Sequence, residues 1–237
     1  MLIHIINTKQ NKTFTPEYSR DTTVGRYLSY HENKFIKRYL ESAVKPYSIL
    51  DIACGIGYFT LPLHNKGFQI IGLDLNSEAL SVLQQKSKDI PLSVANAEHL
   101  PFANGKFNCI LAIQCFEFLD YSMFLQECNR VLSDNGLLIF DFLNQRSYKW
   151  LLKQIVGRTE YLQNPSADFS YLEVFESITR YGFVIDGVAG YNWQPFTRTS
   201  NSVFVGITAL IEDVLQLERR YHISPKILVA ARKKNSL

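Results

Sequence analysis

Ile49-Leu50-Asp51-Ile52-Ala53-Cys54-Gly55-Ile56-Gly57-Tyr58-Phe59-Thr60 is the stretch from which the rest of this chain is read. It opens as a short apolar run holding one acid, breaks into a turn of small residues, and resumes apolar spacing at Phe59, Leu61 and Leu63. That order predicts a buried parallel strand, a tight loop, and a helix whose N-terminus points into the loop. Gly55 and Gly57 let the backbone approach a ligand with no Cβ in the way. Seventeen residues after Gly57, the apolar run Phe68–Leu73 ends in Asp74. An acid at the end of a second strand is placed to hydrogen-bond a ribose diol, so the pair of strands predicts a nucleoside-binding half-fold.

A dinucleotide fingerprint would need Gly-x-Gly-x-x-Gly with a pyrophosphate on the helix N-terminus. Here the third glycine position is Thr60, and Asp51 stands four residues before Gly55. A carboxylate there repels a pyrophosphate and suits a ligand that carries an ammonium and a sulfonium. Leu50-Asp51-Ile52-Ala53-Cys54-Gly55-Ile56-Gly57 resembles motif I of the class I S-adenosylmethionine-dependent methyltransferases, commonly Leu-Asp-x-Gly-Cys-Gly-Thr-Gly, with Ala53 in place of a glycine. Asp74 matches the ribose-binding acid of that family. Val94–Phe102, with Asn96-Ala97-Glu98-His99-Leu100-Pro101-Phe102, resembles its Asp-Ala-Glu-x-Leu-Pro-Phe segment beside the adenine. Phe107–Leu119 resembles its fourth strand and following loop, and Arg130–Ile139 its Arg-x-Leu-Lys-Pro-Gly-Gly before the fifth strand. The matched motifs cover about residues 26–145; the remainder resembles the family more loosely.

The resemblance implies the following site. Asp51 and the loop of Ala53, Cys54, Gly55 and Gly57 hold the methionyl end of S-adenosyl-L-methionine. Asp74 takes the ribose hydroxyls, Leu75 lies against the adenine, and Asn96 and Ala97 face its edge; the alternative for Asn96-Ala97 is a plain strand-exit turn. Gln114 follows the fourth strand and lines the cofactor near the methyl. Arg26 is a candidate for the methionine carboxylate, with a solvated helix-face arginine as the equal alternative. Many relatives carry Glu-His after the fourth strand; here the pair is Glu117-Phe118, so no histidine base stands at that place and no catalytic residue is assigned. Methyl transfer from a sulfonium needs alignment and exclusion of water more than proton chemistry. Asp141, Asn144, Tyr191, Trp193, Phe196 and Arg198 are candidates to touch the acceptor; the alternative is that the aromatics pack a helix onto the sheet.

The 237 residues are read as one domain, with a helical cap over 1–45, a cofactor-binding core over 46–145, and substrate-side helices with the last two strands over 146–237. Alternating strands (about 48–53, 69–74, 92–95, 108–113, 137–142) and helices (57–65, 77–87, 121–132) predict an α/β, doubly wound, seven-stranded sheet. By the resemblance it is mostly parallel with an antiparallel last strand. One or two N-terminal helices are read over 24–41, and residues 1–17 as weakly structured. Helices at 147–156 and 169–181 end at Gly157 and Gly182, a strand spans 183–188, residues 190–201 are irregular, and a helix over 203–220 precedes a last strand from Lys226. That helix would be an insertion between the last two strands.

Composition excludes several classes. Charged residues are 20% and the net charge is +3, with one basic run at Arg232-Lys233-Lys234; nucleic-acid binding is not indicated. The high aromatic content (16 Phe, 13 Tyr, 2 Trp) reads as core packing or as the wall of an apolar, ring-bearing substrate. Cys54, Cys109, Cys115 and Cys128 lack metal-finger spacing and are read as reduced thiols, so no metal is expected. No signal-type h-region or membrane-length run is visible, which leads us to expect a cytoplasmic protein. The function expected is methyl transfer to O, N or C of a small molecule. A nucleic-acid enzyme would carry Asn/Asp-Pro-Pro-Tyr where this chain has Ile113-Gln114-Cys115-Phe116. A catechol-type enzyme would need more carboxylates than Asp141, and an arginine-directed enzyme two acids after the fourth strand. A non-catalytic cofactor-binding subunit is the reading from another class.

Overall fold

The computed structural model describes residues 20–41, 43, 47–156 and 169–235; the expectations for residues 1–17 and for Gly157 lie outside them. In chain order the elements are α1 Thr23–Leu40, β1 Ser48–Ile52, α2 Thr60–Asn65, β2 Gln69–Asp74, α3 Ser77–Lys86, β3 Leu92–Val94, β4 Phe107–Ala112, α4 Tyr121–Val131, β5 Leu132–Leu143, α5 Tyr148–Val156, α6 Tyr171–Arg180, β6 Phe183–Tyr191, α7 Phe204–Val214 and β7 Lys226–Lys233. The seven strands lie in the order β3-β2-β1-β4-β5-β7-β6. The pairs β1–β2, β1–β4, β2–β3 and β4–β5 are parallel, and β7 runs antiparallel to both β5 and β6. This is the doubly wound sheet with one reversed strand that the sequence led us to expect.

Both faces of the sheet are covered, which is why its central strands are almost wholly apolar. Successive residues of β1 and β5 alternate between two cores. Leu50, Leu138 and Phe140 pack with Phe124, Cys128 and Val131 of α4 and Val174 and Ile178 of α6. Ile49, Leu137 and Ile139 pack with Val24, Leu28, Phe35 and Ile36 of α1, Phe59 and Leu63 beside and in α2, and Val205 of α7. On this period Asp51 and Asp141 fall on the second face, at the carboxyl ends of β1 and β5.

Local chemistry sets the boundaries. β1 stops at Ile52 because Ala53 turns into the left-handed region at φ +54°. Asn76, Asp120 and Ser170 each cap the helix that follows them with a side-chain oxygen. Gly182, at φ +83°, closes α6 as expected of a C′ glycine. β6 runs on to Tyr191, past the expected end at 188, through a register shift between Ile185 and Gly187. β5 begins at Leu132 rather than 137, with a shift in its pairing to β4 between Phe107 and Cys109. The helix expected over 203–220 is shorter. It ends at Val214; Gln216 adopts φ +50°, and two 3₁₀ turns, Leu217–Arg219 and Tyr221–Ile223, complete the path to β7.

Among the described residues no helix is long and apolar enough to cross a membrane, and no group of three or more His, Cys, Asp or Glu is placed to hold a metal.

Candidate functional site

The loop after β1 is built on alternate left-handed residues: Ala53 at φ +54°, Gly55 at +53° and Gly57 at +88°. The two glycines do different work. A Cβ on Gly55 would meet none of the described residues within 4 Å, so its side is open among them. A Cβ on Gly57 would stand 2.3 Å from Leu83 Cδ1, so this glycine admits α3 against the loop. Ala53 adopts the left-handed conformation without glycine's freedom, at a cost of roughly 1–2 kcal/mol.

Asp74 ties this loop to the second strand. Its Oδ2 accepts the Gly55 N–H at 2.8 Å and its Oδ1 the Asn76 N–H at 2.8 Å. Leu75 is 55% exposed beside it, while Ala97 is buried and Asn96 half-buried. The Asn96 side chain accepts from Glu98 N at 3.0 Å, the turn geometry that was the alternative reading for this segment. Cys54 is buried, and burial together with the charges of Asp51 and Asp74 drives its thiol well above the usual range.

Asp51 is 2% exposed and accepts the Thr60 hydroxyl at the start of α2. Burial pushes its carboxyl up to about 7; the Thr60 bond and the Arg20 cation pull the other way, and Asp74 adds to the rise. A buried acid with no ion-pair partner in contact among the described residues thus lies beneath the loop, suited to a cationic group that would ionise it.

Arg26 is not brought to this loop. It is exposed on the outer side of α1, away from the stripe of Val24, Tyr27 and Leu28, and its guanidinium turns back on the Asp21 carbonyl and the Thr23 hydroxyl. Arg20 is there instead. Its guanidinium lies 3.7 Å from the centre of the Tyr58 ring and 4.8 Å from that of Phe59, and it donates to Glu32. Arg20 precedes the helix and carried no periodic signal.

Gln114, two residues past the end of β4, adopts φ +63° and joins three elements. Its Nε2 donates to Glu32 of α1, its Oε1 accepts from Arg198 in the segment after β6, and its backbone N–H donates to Asp141 of β5. Asp141 is fully buried and also accepts the Tyr191 hydroxyl at 2.5 Å and Lys226 Nζ at 2.7 Å. Burial alone would lower the Lys226 pKa, but Asp141, Glu117 and Glu32 around it outweigh that and raise it. Burial, Asp141 and Glu32 likewise raise the Tyr191 hydroxyl.

These placements correct several acceptor candidates. Asp141 and Tyr191 face inward and satisfy each other. Asn144 is buried, with its amide on the carbonyls of His222 and Ser224 at 3.1 and 3.0 Å. Trp193 stacks on Tyr148, ring centres 5.8 Å apart and 6° from parallel, and Phe196 packs on the α1-side core. Of the set, Arg198 reaches the Gln114 side chain and Asp141 its backbone N–H. Glu32 was missed; its signal was its place four residues after Leu28, on the buried stripe of α1.

The segment around Arg198 is fixed to the start of α1. Thr22 donates to the Arg198 carbonyl at 2.6 Å, Thr23 N donates to Asn201 Oδ1 at 2.9 Å, and Val24 N to Ser200 O at 3.2 Å. The carboxyl ends of β1, β2 and β4 therefore carry a loop open at Gly55, an acid on each side of it, and a polar clamp above.

Residues 50–140 match the family model described as a methyltransferase domain. The chain is 33% identical over 144 residues to an uncharacterised protein of Methanocaldococcus jannaschii, covering 57% of this chain and 55% of that one. It is 30% identical over 155 residues to a malonyl-[acyl-carrier protein] O-methyltransferase of Legionella pneumophila, covering 62% and 54%. The chain thus spans about half the length of these curated relatives. Among solved structures, a protein of Thermotoga maritima described as a SAM-dependent methyltransferase and possible histamine N-methyltransferase shares the fold, with a TM-score of 0.67, 19% identity, and coverage of 99% of this chain and 100% of that one.

Proposed function

We propose that this chain, whose residues 50–140 match the methyltransferase-domain model, is a class I S-adenosylmethionine-dependent methyltransferase that binds S-adenosyl-L-methionine across the carboxyl ends of β1, β2 and β4 and moves its methyl group to O, N or C of a small-molecule acceptor. The observation that carries this reading is the Gly55 loop, open on its ligand side and hydrogen-bonded to Asp74. Each Asp74 oxygen has one backbone donor and keeps capacity for a ribose hydroxyl. Asp51 would accept the ammonium of the methionyl part, with Ala53, Cys54, Gly55 and Gly57 beneath that chain. Arg20 takes the role first given to Arg26 and binds the carboxylate. Leu75 covers the adenine, and Asn96 and Ala97 border its edge.

When bound, the cofactor supplies a methyl already activated on a sulfonium. The chain's own part is then to align and to exclude water. Gln114 borders the transfer position, held by Glu32, Arg198 and Asp141, so the segment leaving β4 is fixed from three sides. No side chain is assigned as a base. The acceptor is proposed to be a small molecule rather than nucleic acid, given the small net charge of +3. The division at residues 45 and 145 into cap, cofactor core and substrate side is part of the same proposal.

The test is release of S-adenosylhomocysteine from S-adenosylmethionine with a panel of small hydroxylated, amino and carbon-acid acceptors. Turnover with one of them supports the reading. Tight cofactor binding with no turnover of any acceptor would favour the non-catalytic subunit.

A further inference from the structure

α7 presents its apolar residues outward. Val203, just before it, and Phe204, Ile207, Leu210, Ile211 and Val214 are each between 48% and 82% exposed. Its inward residues are Val205, in the α1-side core, and Glu212, whose carboxylate accepts the Tyr27 hydroxyl at 2.5 Å. The polarity of an ordinary surface helix is therefore reversed. The spacing i, i+4, i+7, i+11 from Val203 through Ile207 and Leu210 to Val214 makes one continuous stripe, the pattern of a helix packed on another helix. The exposed apolar side chains amount to roughly 700 Å², more than the few hundred that most monomers leave open.

Gly206 lies in the first turn of this helix, and a Cβ on it would meet none of the described residues within 4 Å. A glycine in a helix costs up to about 1 kcal/mol against alanine, and packing among the described residues does not call for it. Close approach of a second helix does. α7 holds two acids, Glu212 and Asp213, and neither lysine nor arginine, which opposes an anionic lipid surface.

We propose that this stripe is the face of a two-fold dimer, covered by α7 of a second copy of this chain. One stripe laid against its two-fold copy is self-complementary, and roughly 700 Å² from each partner is near the ~800 Å² per partner of a standard stable interface. The inner face of α7 meets α1 through Tyr27 and Glu212, and α1 carries Glu32 onto Gln114. Dimerisation would thus brace the helix that reaches the β4 end. The inference stands whether or not the chain transfers methyl groups.

Light scattering on the eluting protein at micromolar concentration should give twice the chain mass of 27.3 kDa. Ile207→Glu with Leu210→Glu should weaken self-association roughly a hundredfold, giving a monomer with unchanged circular dichroism and S-adenosylhomocysteine affinity. Should that variant not fold, hydrogen exchange of the wild type on dilution decides, since the amides of α7 should lose protection first. A wild type at the mass of one chain throughout, a variant that stays dimeric, α7 protection that ignores dilution, or a monomer that sediments with phosphatidylglycerol vesicles would each overturn the proposal.

Discussion

The carboxylate of Asp74 accepts the backbone N–H of Gly55 at 2.8 Å, so the end of β2 and the loop after β1 form one hydrogen-bonded unit. The acid proposed for the ribose and the loop proposed for the methionyl chain therefore cannot move independently. The left-handed turn at Ala53, Gly55 and Gly57 brings that amide to the acid, and the cap of α3 by Asn76 begins on the acid's other oxygen.

The two loop glycines should separate on substitution. Gly55→Ala places its methyl in open space at φ +53°. It should lower stability by only about 1–2 kcal/mol while weakening S-adenosylhomocysteine binding at least roughly tenfold, because that space is where the ligand would lie. Gly57→Ala drives a Cβ to 2.3 Å from Leu83 and should cost about 3 kcal/mol or more of stability. Thermal melts and calorimetric titrations distinguish the two. Native affinity in Gly55→Ala would mean that this glycine serves only the turn.

Ala53 holds φ +54° and is exposed. Ala53→Gly removes the left-handed cost of roughly 1–2 kcal/mol, and the added freedom of the unfolded chain offsets part of it. The net gain should be about 0.5–1 kcal/mol, a rise of roughly 1–4 °C in Tm. A fall in Tm would show that the Ala53 methyl makes contacts worth more than the strain.

Burial raises Asp51 and Glu212 each to about 7. Between the ordinary carboxylate range and 7 the folded chain holds protons that the unfolded chain has lost, so these two groups make stability fall as pH rises through that window. The urea midpoint should drop between about pH 5 and about pH 8, and Asp51→Asn with Glu212→Gln should flatten the drop. An equal slope in wild type and double variant would show that both acids are ionised in the fold. If the cofactor's ammonium meets Asp51, its binding near neutral pH should also release a proton, read as a calorimetric heat that depends on the buffer.

The strands and the glycine loop were legible because both depend on local residues. β1, β2 and β4 are apolar runs buried on both faces, and Asp74 ends one of them. What escaped depends on partners far along the chain. Arg26 and Arg20 differ by helix phase and by the position of the chain before α1, which periodicity does not fix. Asp141 and Tyr191 look like strand-end polar residues open to a substrate, yet Lys226, eighty-five positions from Asp141, closes over them. The early end of α7 follows from Gln216 entering the left-handed region, which glutamine seldom does. The buried place of Glu32 was written in the spacing of α1, but its contact with Gln114 was not.

The most direct measurement is a calorimetric titration of S-adenosylhomocysteine into wild type and Asp74→Ala. Wild type should bind, and a nicotinamide dinucleotide should not. Asp74→Ala should lose roughly 1.5–3 kcal/mol, on the order of tenfold to a hundredfold in Kd, from the ribose hydrogen bonds. An unchanged Kd in a folded Asp74→Ala protein, or a wild type that does not bind S-adenosylhomocysteine, would contradict the account.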